Sequence, residues 1–204
     1  MGELGAQVSM SRPLRAGAFD FLVGSDDVQI ARELERLLRD LPTAEVTDTS
    51  DLPAFLILTL DRTGGGRHRY EVTGPQIGRL GPFTLAGAVT LLSTGINLGA
   101  LEAEPDRLHL HAAAVVRDGK ALVISAPRET GKTTTLTRLV LRGWGYISDE
   151  ALSIDATADE VRGFPKPLSI KPSGRHLVPE LTEHLAPAAD LDPADVAHVA
   201  LGDV

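Results

Sequence analysis

The chain has no cysteine among its 204 residues. A disulfide framework, a thiolate metal site and a cysteine nucleophile are therefore excluded. Long apolar runs are missing too: the run around residues 55–58 is far too short to cross a bilayer, and the first residues lack the basic-then-apolar pattern of a leader. With 43% apolar and 24% charged residues, the composition is close to that of globular proteins and predicts a soluble, cytoplasmic protein that does not act at a membrane.

Basic residues are also in short supply, with 20 bases against 28 acids and a net charge of −8. This balance argues against a nucleic-acid partner. Between residues 164 and 176, however, the charged side chains are Lys166, Lys171 and Arg175, with no acid among them. Such a segment predicts a small anion or substrate site formed by these three side chains, and a solvated basic loop is the alternative.

The N-terminal half has the pattern of a small α+β region. The first twenty residues lack periodicity and are expected to form a loose tail. A short strand is predicted at 18–23, followed by an amphipathic helix that begins near Ser25 and stops at Pro42. Residues 54–60 and 68–72 are expected to form a hairpin through the turn at 63–66, and residues 84–101 have the length and composition of an apolar helix.

From residue 108 onward the order of elements is more distinctive. Two strands are predicted at 109–116 and 120–125, joined by the Asp118-Gly119 turn, and they should pair antiparallel. A glycine-containing loop and a helix closed by Gly143 follow. Further strands are expected at 144–148 and 151–154, with the acids Asp149 and Glu150 between them.

The loop at 126–133 matches the phosphate-loop template G-x-x-x-x-G-K-[ST], except that Ala126 replaces the first glycine. In such a loop the backbone N–H groups converge on phosphate oxygens at a helix N-terminus, a lysine reaches the β and γ oxygens, and a hydroxyl binds magnesium. Ala126 is tolerable there if its φ is negative, and Pro127 removes one donor. The sequence therefore predicts nucleotide or phosphate binding through Arg128, Glu129, Thr130, Gly131, Lys132, Thr133 and Thr134.

The acidic pair and two histidines are the remaining candidates for chemistry. Strand alternation sends the side chains of Asp149 and Glu150 to opposite faces unless the strand bends there, so spacing does not decide which is a base and which organises a metal. His109 and His111 are expected on one face of a single strand. Zinc is disfavoured because no third ligand has a recognisable spacing, and a proton carrier or charge stabiliser near the phosphate is the sharper option. The other histidines, among them His198, are expected to be ordinary surface or partly buried residues.

Together these residues resemble the bacterial HPr kinase/phosphorylase family and its relatives with a phosphoenolpyruvate-carboxykinase-like P-loop core. The resemblance rests on His111, the loop at 126–133, Arg142-Gly143 and the Asp149-Glu150 pair, and covers about a third of the chain, from residue 108 to 172. The phrase at 164–171 is similar to one in HPr-kinase-like proteins of peptide-modification gene clusters. The resemblance implies a P-loop core with a mixed sheet over residues 105–204, which is expected to lack its relatives' last strands, preceded by an α+β region over 1–104.

By this resemblance Asp149 would be the catalytic acid/base, with His111 as its neighbour, and Lys132 would bind phosphate. Thr133 and Glu150 would bind magnesium. The implied activity is a kinase that uses ATP and Mg²⁺ to phosphorylate a hydroxyl, plausibly that of serine, on a peptide, protein or small metabolite; the phosphorylase activity is not carried over. A non-catalytic nucleotide-binding module is the alternative, nucleotide hydrolysis driving a machine has less support, and self-association into a homo-oligomer is left open.

Overall fold

A computed structural model describes residues 7–60, 68–127, 129–164, 166–184 and 196–200. The turn expected at 63–66 and the loop residue Arg128 lie outside these described residues. The secondary structure is mixed, with helices and strands along the whole described chain, and the larger sheet contains both parallel and antiparallel pairs. The predicted α/β class is therefore confirmed. The mixed sheet lies in the N-terminal half, however, whereas the described strands of the C-terminal half form only antiparallel pairs, so the mixed sheet predicted for residues 105–204 is not found there.

The N-terminal half contains six strands and two helices in its described part. Their bounds are β1 Ser9–Met10, β2 Leu14–Ala16, β3 Phe19–Ser25, α1 Val28–Leu37, β4 Ala54–Thr59, β5 Tyr70–Gly74, β6 Gly78–Phe83 and α2 Leu85–Glu102. The sheet order is β1-β3-β4-β5-β6, with β2 also on β3. β3 and β4 are parallel, because α1 carries the chain back between them, and the other pairs are antiparallel.

Helix α1 forms where the sequence predicts it, because the Asp27 carboxylate caps the N–H groups of Gln29 and Ile30. The expected pairing of residues 54–60 with 68–72 is confirmed by the antiparallel β4–β5 ladder. The expected loose N-terminal tail is wrong for residues 9–10 and 14–16, which form β1 and β2. Leu14 and Ala16 are buried there, and their apolar contacts with the core offset the cost of ordering the chain.

Helix α2 lies against β4, β5 and β6 and contributes to the same core as Phe55 and Ile57. Among the described residues it is the helix whose length and composition would suffice to cross a membrane. Half of it is buried inside the protein, as in the core helix of a soluble protein, so this property is weak as a sign of membrane insertion.

The C-terminal half contains eight strands and one α-helix in its described part. Their bounds are β7 Leu108–Leu110, β8 Ala113–Arg117, β9 Lys120–Ile124, α3 Lys132–Val140, β10 Gly145–Ser148, β11 Leu152–Asp155, β12 Glu160–Gly163, β13 Leu168–Ile170 and β14 Ala197–Val199. Two 3₁₀ segments, Pro172–Leu177 and Pro179–His184, follow β13. The strands form three small sheets with the orders β10-β8-β9, β12-β11-β7 and β13-β14.

The β10-β8-β9 sheet places the candidate residues at one edge. β8 is antiparallel to both β9 and β10, so β9 and β10 point in the same direction on either side of it. Their carboxyl ends therefore share an edge with the amino end of β8, where Ala113 pairs with Ile124 and Ala114 with Ser148. The loop that leads from β9 to α3 begins at this edge, and the acidic pair follows β10 there.

One strand expected at 109–116 is instead two. The chain breaks at residues 111–112, β7 pairs with β11, and β8 pairs with β9 and β10. His109 and His111 therefore do not share a face of one strand, and that prediction is wrong. The physical reason is that the two halves of the run belong to different sheets, and the break carries the chain from one sheet to the other.

The described sheets and helices pack around three hydrophobic clusters. The largest is formed by the N-terminal sheet and its helices, and it also takes in Ala151 and Phe164 from the second half. A second cluster joins α3 to β8 and to the β13-β14 pair through Leu136, Val115 and Leu168. The division of the chain at residues 104 and 105 stays a prediction.

Candidate active site

The loop between β9 and α3 contains residues with positive φ angles just before the helix begins. Glu129 and Gly131 have φ angles of 65° and 91°, whereas Thr130 between them does not have a positive φ. Alternation of this kind turns successive N–H groups toward one side of the chain. Gly131 is the N-cap of α3, and no side chain caps that end, so the first N–H groups of the helix are open to an anion.

Lys132 is the first residue of α3 and is largely buried. Its Nζ donates to the backbone oxygens of Ala126, at 2.5 Å, and Pro127, at 3.1 Å. Thr130 Oγ1 also donates to Pro127 O, at 2.7 Å. The lysine thus closes the loop onto itself. Ala126 does not have a positive φ, so its Cβ is tolerated at the position of the first template glycine.

The acidic pair lies at a bend and not on a regular strand. β10 ends at Ser148, after an irregularity in its register with β8, and residues 149–150 are bent. Ser148 Oγ accepts hydrogen bonds from the backbone N–H groups of Glu150, at 3.4 Å, and Ala151, at 3.3 Å. Because of this turn, Asp149 and Glu150 escape strand alternation and both reach the same lysine.

That lysine is Lys166, from the basic segment. Its Nζ lies 2.8 Å from Asp149 Oδ1 and 3.3 Å from Glu150 Oε2, and the exposed fractions of the three side chains are 8%, 3% and 41%. Burial by itself would lower the pKa of Lys166, but the charges of Asp149 and Glu150 outweigh burial, so its pKa is raised. Lys166 is therefore a fixed ammonium ion beside both acids.

Tyr146 contacts both Asp149 and Lys166, and these residues together with Glu150 form the acidic cluster. The Tyr146 hydroxyl lies 3.4 Å from Asp149 Oδ1 and 3.4 Å from the backbone oxygen of Lys166. Burial, with a further contribution from the Asp149 charge, raises the pKa of Tyr146 well above its ordinary value. The phenol accordingly remains a neutral hydrogen-bond donor to these acceptors.

Helix α2 reaches the same cluster from the N-terminal half. Asn97 Nδ2 donates to Glu150 Oε2 at 3.3 Å, so the amide and Lys166 bind the same carboxylate oxygen. Asn97 is itself largely buried. One helix of the N-terminal region therefore helps to position an acid of the C-terminal region.

A second link from α2 passes through His198 on β14. The His198 Nε2 lies 3.2 Å from Ala86 O, which can only accept, so Nε2 carries the proton. Nδ1 is then the acceptor for the Ser169 hydroxyl at 3.5 Å, and Ser169 Oγ accepts from Lys166 Nζ at 3.3 Å. Burial, followed by the charge of Lys166, lowers the pKa of His198 to about 4. The expectation that His198 is an ordinary residue is therefore wrong.

The other members of the basic segment lie on the phosphate-loop side. Lys171 Nζ is 3.3 Å from Glu129 Oε1, and both side chains are well exposed. The 3₁₀ segment that contains Arg175 approaches the first turn of α3, since a Cβ added to Gly174 would lie 3.6 Å from Thr134 Oγ1. Lys166 thus pairs with Asp149 and Glu150, whereas Lys171 pairs with Glu129 at the loop.

His111 lies just before β8 and is exposed at the same sheet edge. No hydrogen bond or ion pair connects it to Asp149 within the described residues. His109 is instead turned to the backbone oxygen of Glu104, 2.8 Å from its Nε2.

Thr133 and Glu150 carry oxygen donors of the kind that Mg²⁺ binds. Within the described ranges, no three His, Asp or Glu side chains converge as a metal cage. Magnesium in nucleotide sites, however, is bound by one or two protein oxygens together with the phosphates, and Thr133 with Glu150 would suffice for that mode. A Cβ added to Gly131 would meet no atom of the described residues within 4 Å, so these residues leave open space at the loop.

The sequence predicted the loop and the acids as site residues and did not predict the groups that contact Asp149, Glu150 and Lys166. Tyr146, Asn97, Ser169 and His198 carry no motif, and they come from four elements distant in the chain. The one available signal was the placement of Tyr146 three residues before Asp149 on a predicted strand. The chain matches no protein-family model, no curated protein and no solved structure.

Proposed function

We propose that this protein is an ATP- and magnesium-dependent kinase that transfers the γ-phosphoryl group to a hydroxyl of a peptide, protein or small metabolite. The observation that carries the proposal is the placement of the phosphate loop and the Asp149-Glu150 pair at one edge of the β10-β8-β9 sheet. A phosphate-binding loop and a carboxylate close to it are the two parts that phosphoryl transfer requires.

The loop supplies the binding half of the proposed reaction. The N–H groups at the start of α3 would hold the phosphate oxygens, and Lys132 would exchange its bonds to Ala126 O and Pro127 O for bonds to the phosphates. Thr133 and Glu150 would hold magnesium, which neutralises charge on the phosphates when it is bound. Lys171 and Arg175 are placed at the loop side, where they would contact the phosphates or the acceptor.

Asp149 supplies the proton-accepting half. In the transfer, the bond between the γ-phosphorus and the leaving oxygen of ADP breaks, a new bond forms to the acceptor oxygen, and the acceptor proton passes to the Asp149 carboxylate. Lys166 would keep that carboxylate in place. His111, exposed at the same edge, would be free to contact the acceptor or the phosphate.

The test is to incubate the full chain with ATP, Mg²⁺ and candidate hydroxyl acceptors and to identify a phosphorylated product by mass spectrometry. Lys132→Ala and Asp149→Asn should each abolish the product, while Lys120→Met, at the far end of β9, should keep it. Phosphorylation that survives both of the first two substitutions would show that this mechanism is wrong.

The second candidate is a nucleotide-binding module without catalysis, and the burial of Asp149 favours it. The Asp149 side chain is 3% exposed and is engaged by Lys166, so an acceptor hydroxyl would have to approach it through the cluster. Calorimetry with ATP and Mg²⁺, paired with the transfer assay, separates the two. Binding without transfer to any acceptor would support the module.

A further inference from the structure

Lys166 has no hydrogen-bonding capacity left for a ligand. An ammonium group has three N–H donors, and Asp149 Oδ1, Glu150 Oε2 and Ser169 Oγ are its three partners, at 2.8, 3.3 and 3.3 Å. The side chain is also closed off from solvent. Lys166 therefore does not have the properties of a lysine that reaches out to bind a substrate, which is the role the sequence suggested for it.

The Lys166 ammonium is also held by a chain of hydrogen bonds through Ser169 and His198. Ser169 accepts from Lys166 and donates to His198, which in turn donates to the backbone of α2 at Ala86. β13, which carries Ser169, is paired with β14, which carries His198. The position of the charge is thus set by two strands and a helix and not by the acids alone.

We infer that Lys166 is a built-in counter-cation of the Asp149-Glu150 pair, which makes divalent-metal binding at this pair depend on the nucleotide triphosphate. Lys166 Nζ already binds Glu150 Oε2, so a divalent ion on that carboxylate would share it with the ammonium. Two cations on one carboxylate repel each other, and Lys166 cannot move away from a metal ion because Asp149 and Ser169 hold its ammonium inside the protein. The phosphates of the nucleotide carry the negative charge that offsets this repulsion.

The metal half of this inference rests on the proposed function, whereas the effect of Lys166 on the acids does not. If Lys166 acts in this way, the metal and the triphosphate bind together, and the metal alone binds weakly. Removing the positive charge of Lys166 while keeping the length of the side chain should therefore create a metal site that no longer requires nucleotide.

The experiment measures the binding of Mn²⁺ alone to the full chain by electron paramagnetic resonance, because Mn²⁺ takes the same oxygen ligands as Mg²⁺. The variants are Lys166→Met, Lys166→Gln and the charge-conserving Lys166→Arg, with Lys120→Met as the matched exposed control. Circular dichroism establishes which of them are folded. We expect the neutral Lys166 variants to bind Mn²⁺ at least about tenfold more tightly than the wild type, and Lys166→Arg and Lys120→Met to bind like the wild type.

A parallel arm adds a non-hydrolysable ATP analogue to the wild type, which should then gain Mn²⁺ affinity. Folded neutral variants that bind Mn²⁺ no more tightly than the wild type would overturn the inference. A wild type that binds the analogue but binds Mn²⁺ equally tightly with and without it would overturn the inference as well, even if no neutral variant folds. If the analogue does not bind at all, the proposed function fails, and the nucleotide-free arm still decides the role of Lys166.

Discussion

Lys166 Nζ donates to Asp149 Oδ1 across 2.8 Å, and both side chains are almost completely withdrawn from solvent. The contact joins the segment after β12 to the end of β10. It also explains how two consecutive acids can lie close together in a partly buried site: one ammonium serves both, and Asn97 binds the outer one. Removal of either partner leaves the other charge buried.

Lys166→Met should destabilise the protein by about 3–5 kcal/mol, because Asp149 would stay buried without its counter-charge. Lys171→Met should cost no more than about 1 kcal/mol, since the Lys171–Glu129 pair is exposed. Urea unfolding at pH 7 measures both. The double variant Lys166→Met with Asp149→Leu should regain much of the loss, because it removes both charges. Equal effects of Lys166→Met and Lys171→Met would contradict the ion pair.

Gly131→Ala should weaken nucleotide binding beyond its effect on folding. Gly131 and Gly119 have φ angles of 91° and 72°, and a Cβ on either would meet no atom within 4 Å. An alanine at either site therefore costs about 1–2 kcal/mol of backbone strain and little else. Urea unfolding should show a similar decrease in the free energy of unfolding for both variants. Titration with an ATP analogue should show weaker binding for Gly131→Ala alone. Weakening by Gly119→Ala, in the distant β8–β9 turn, would argue that the effect is not local to the loop.

His198 should make stability fall in mild acid. Its pKa is lowered from 6.5 to about 4 in the folded chain, so the unfolded chain binds the proton first as the pH drops below 6.5. The contribution of neutral His198 to the free energy of unfolding is complete above pH 6.5. This contribution falls by about 2 kcal/mol when the pH reaches 5, and it stops falling near pH 4. Lys166, Asp149 and Glu33 are the charged groups that act on this histidine.

The measurement compares the wild type with His198→Gln, which keeps a donor for Ala86 O but does not titrate. Urea unfolding at pH 7 and pH 5 gives the free energy of unfolding of each. The stability difference between the two proteins should narrow at pH 5. A difference that is the same at both pH values would mean that His198 is not buried in its neutral form.

The sequence predicted local elements well where one residue type dictates the geometry. Asp27 caps α1, and Gly143 follows α3 with a φ of 82°. It failed where the outcome depends on tertiary packing. Nothing in the run at 109–116 indicates that its two halves join different sheets, and the burial of Leu14 depends on a sheet formed by later strands.

The candidate site divides in the same way. Gly131, Lys132 and the acidic pair could be proposed from the sequence because their spacing is fixed by the loop and the strand next to it, and their role in the site stays a prediction. Lys166 was assigned to a substrate clamp because a basic segment shows only its own charge, and its pairing with Asp149 depends on how β13 packs. Long-range electrostatic partners of this kind have no local sequence signal.

Binding of the triphosphate of ATP by the loop before α3 is tested most directly by calorimetric titration of the full chain with Mg²⁺ and a non-hydrolysable ATP analogue. The wild type should bind with a dissociation constant of roughly 1 µM to 1 mM, as is usual for enzyme substrates. Lys132→Met should weaken binding at least about tenfold, and Lys120→Met should leave it unchanged. A wild type that binds no analogue, or a Lys132→Met variant that binds as tightly as the wild type, would contradict the account.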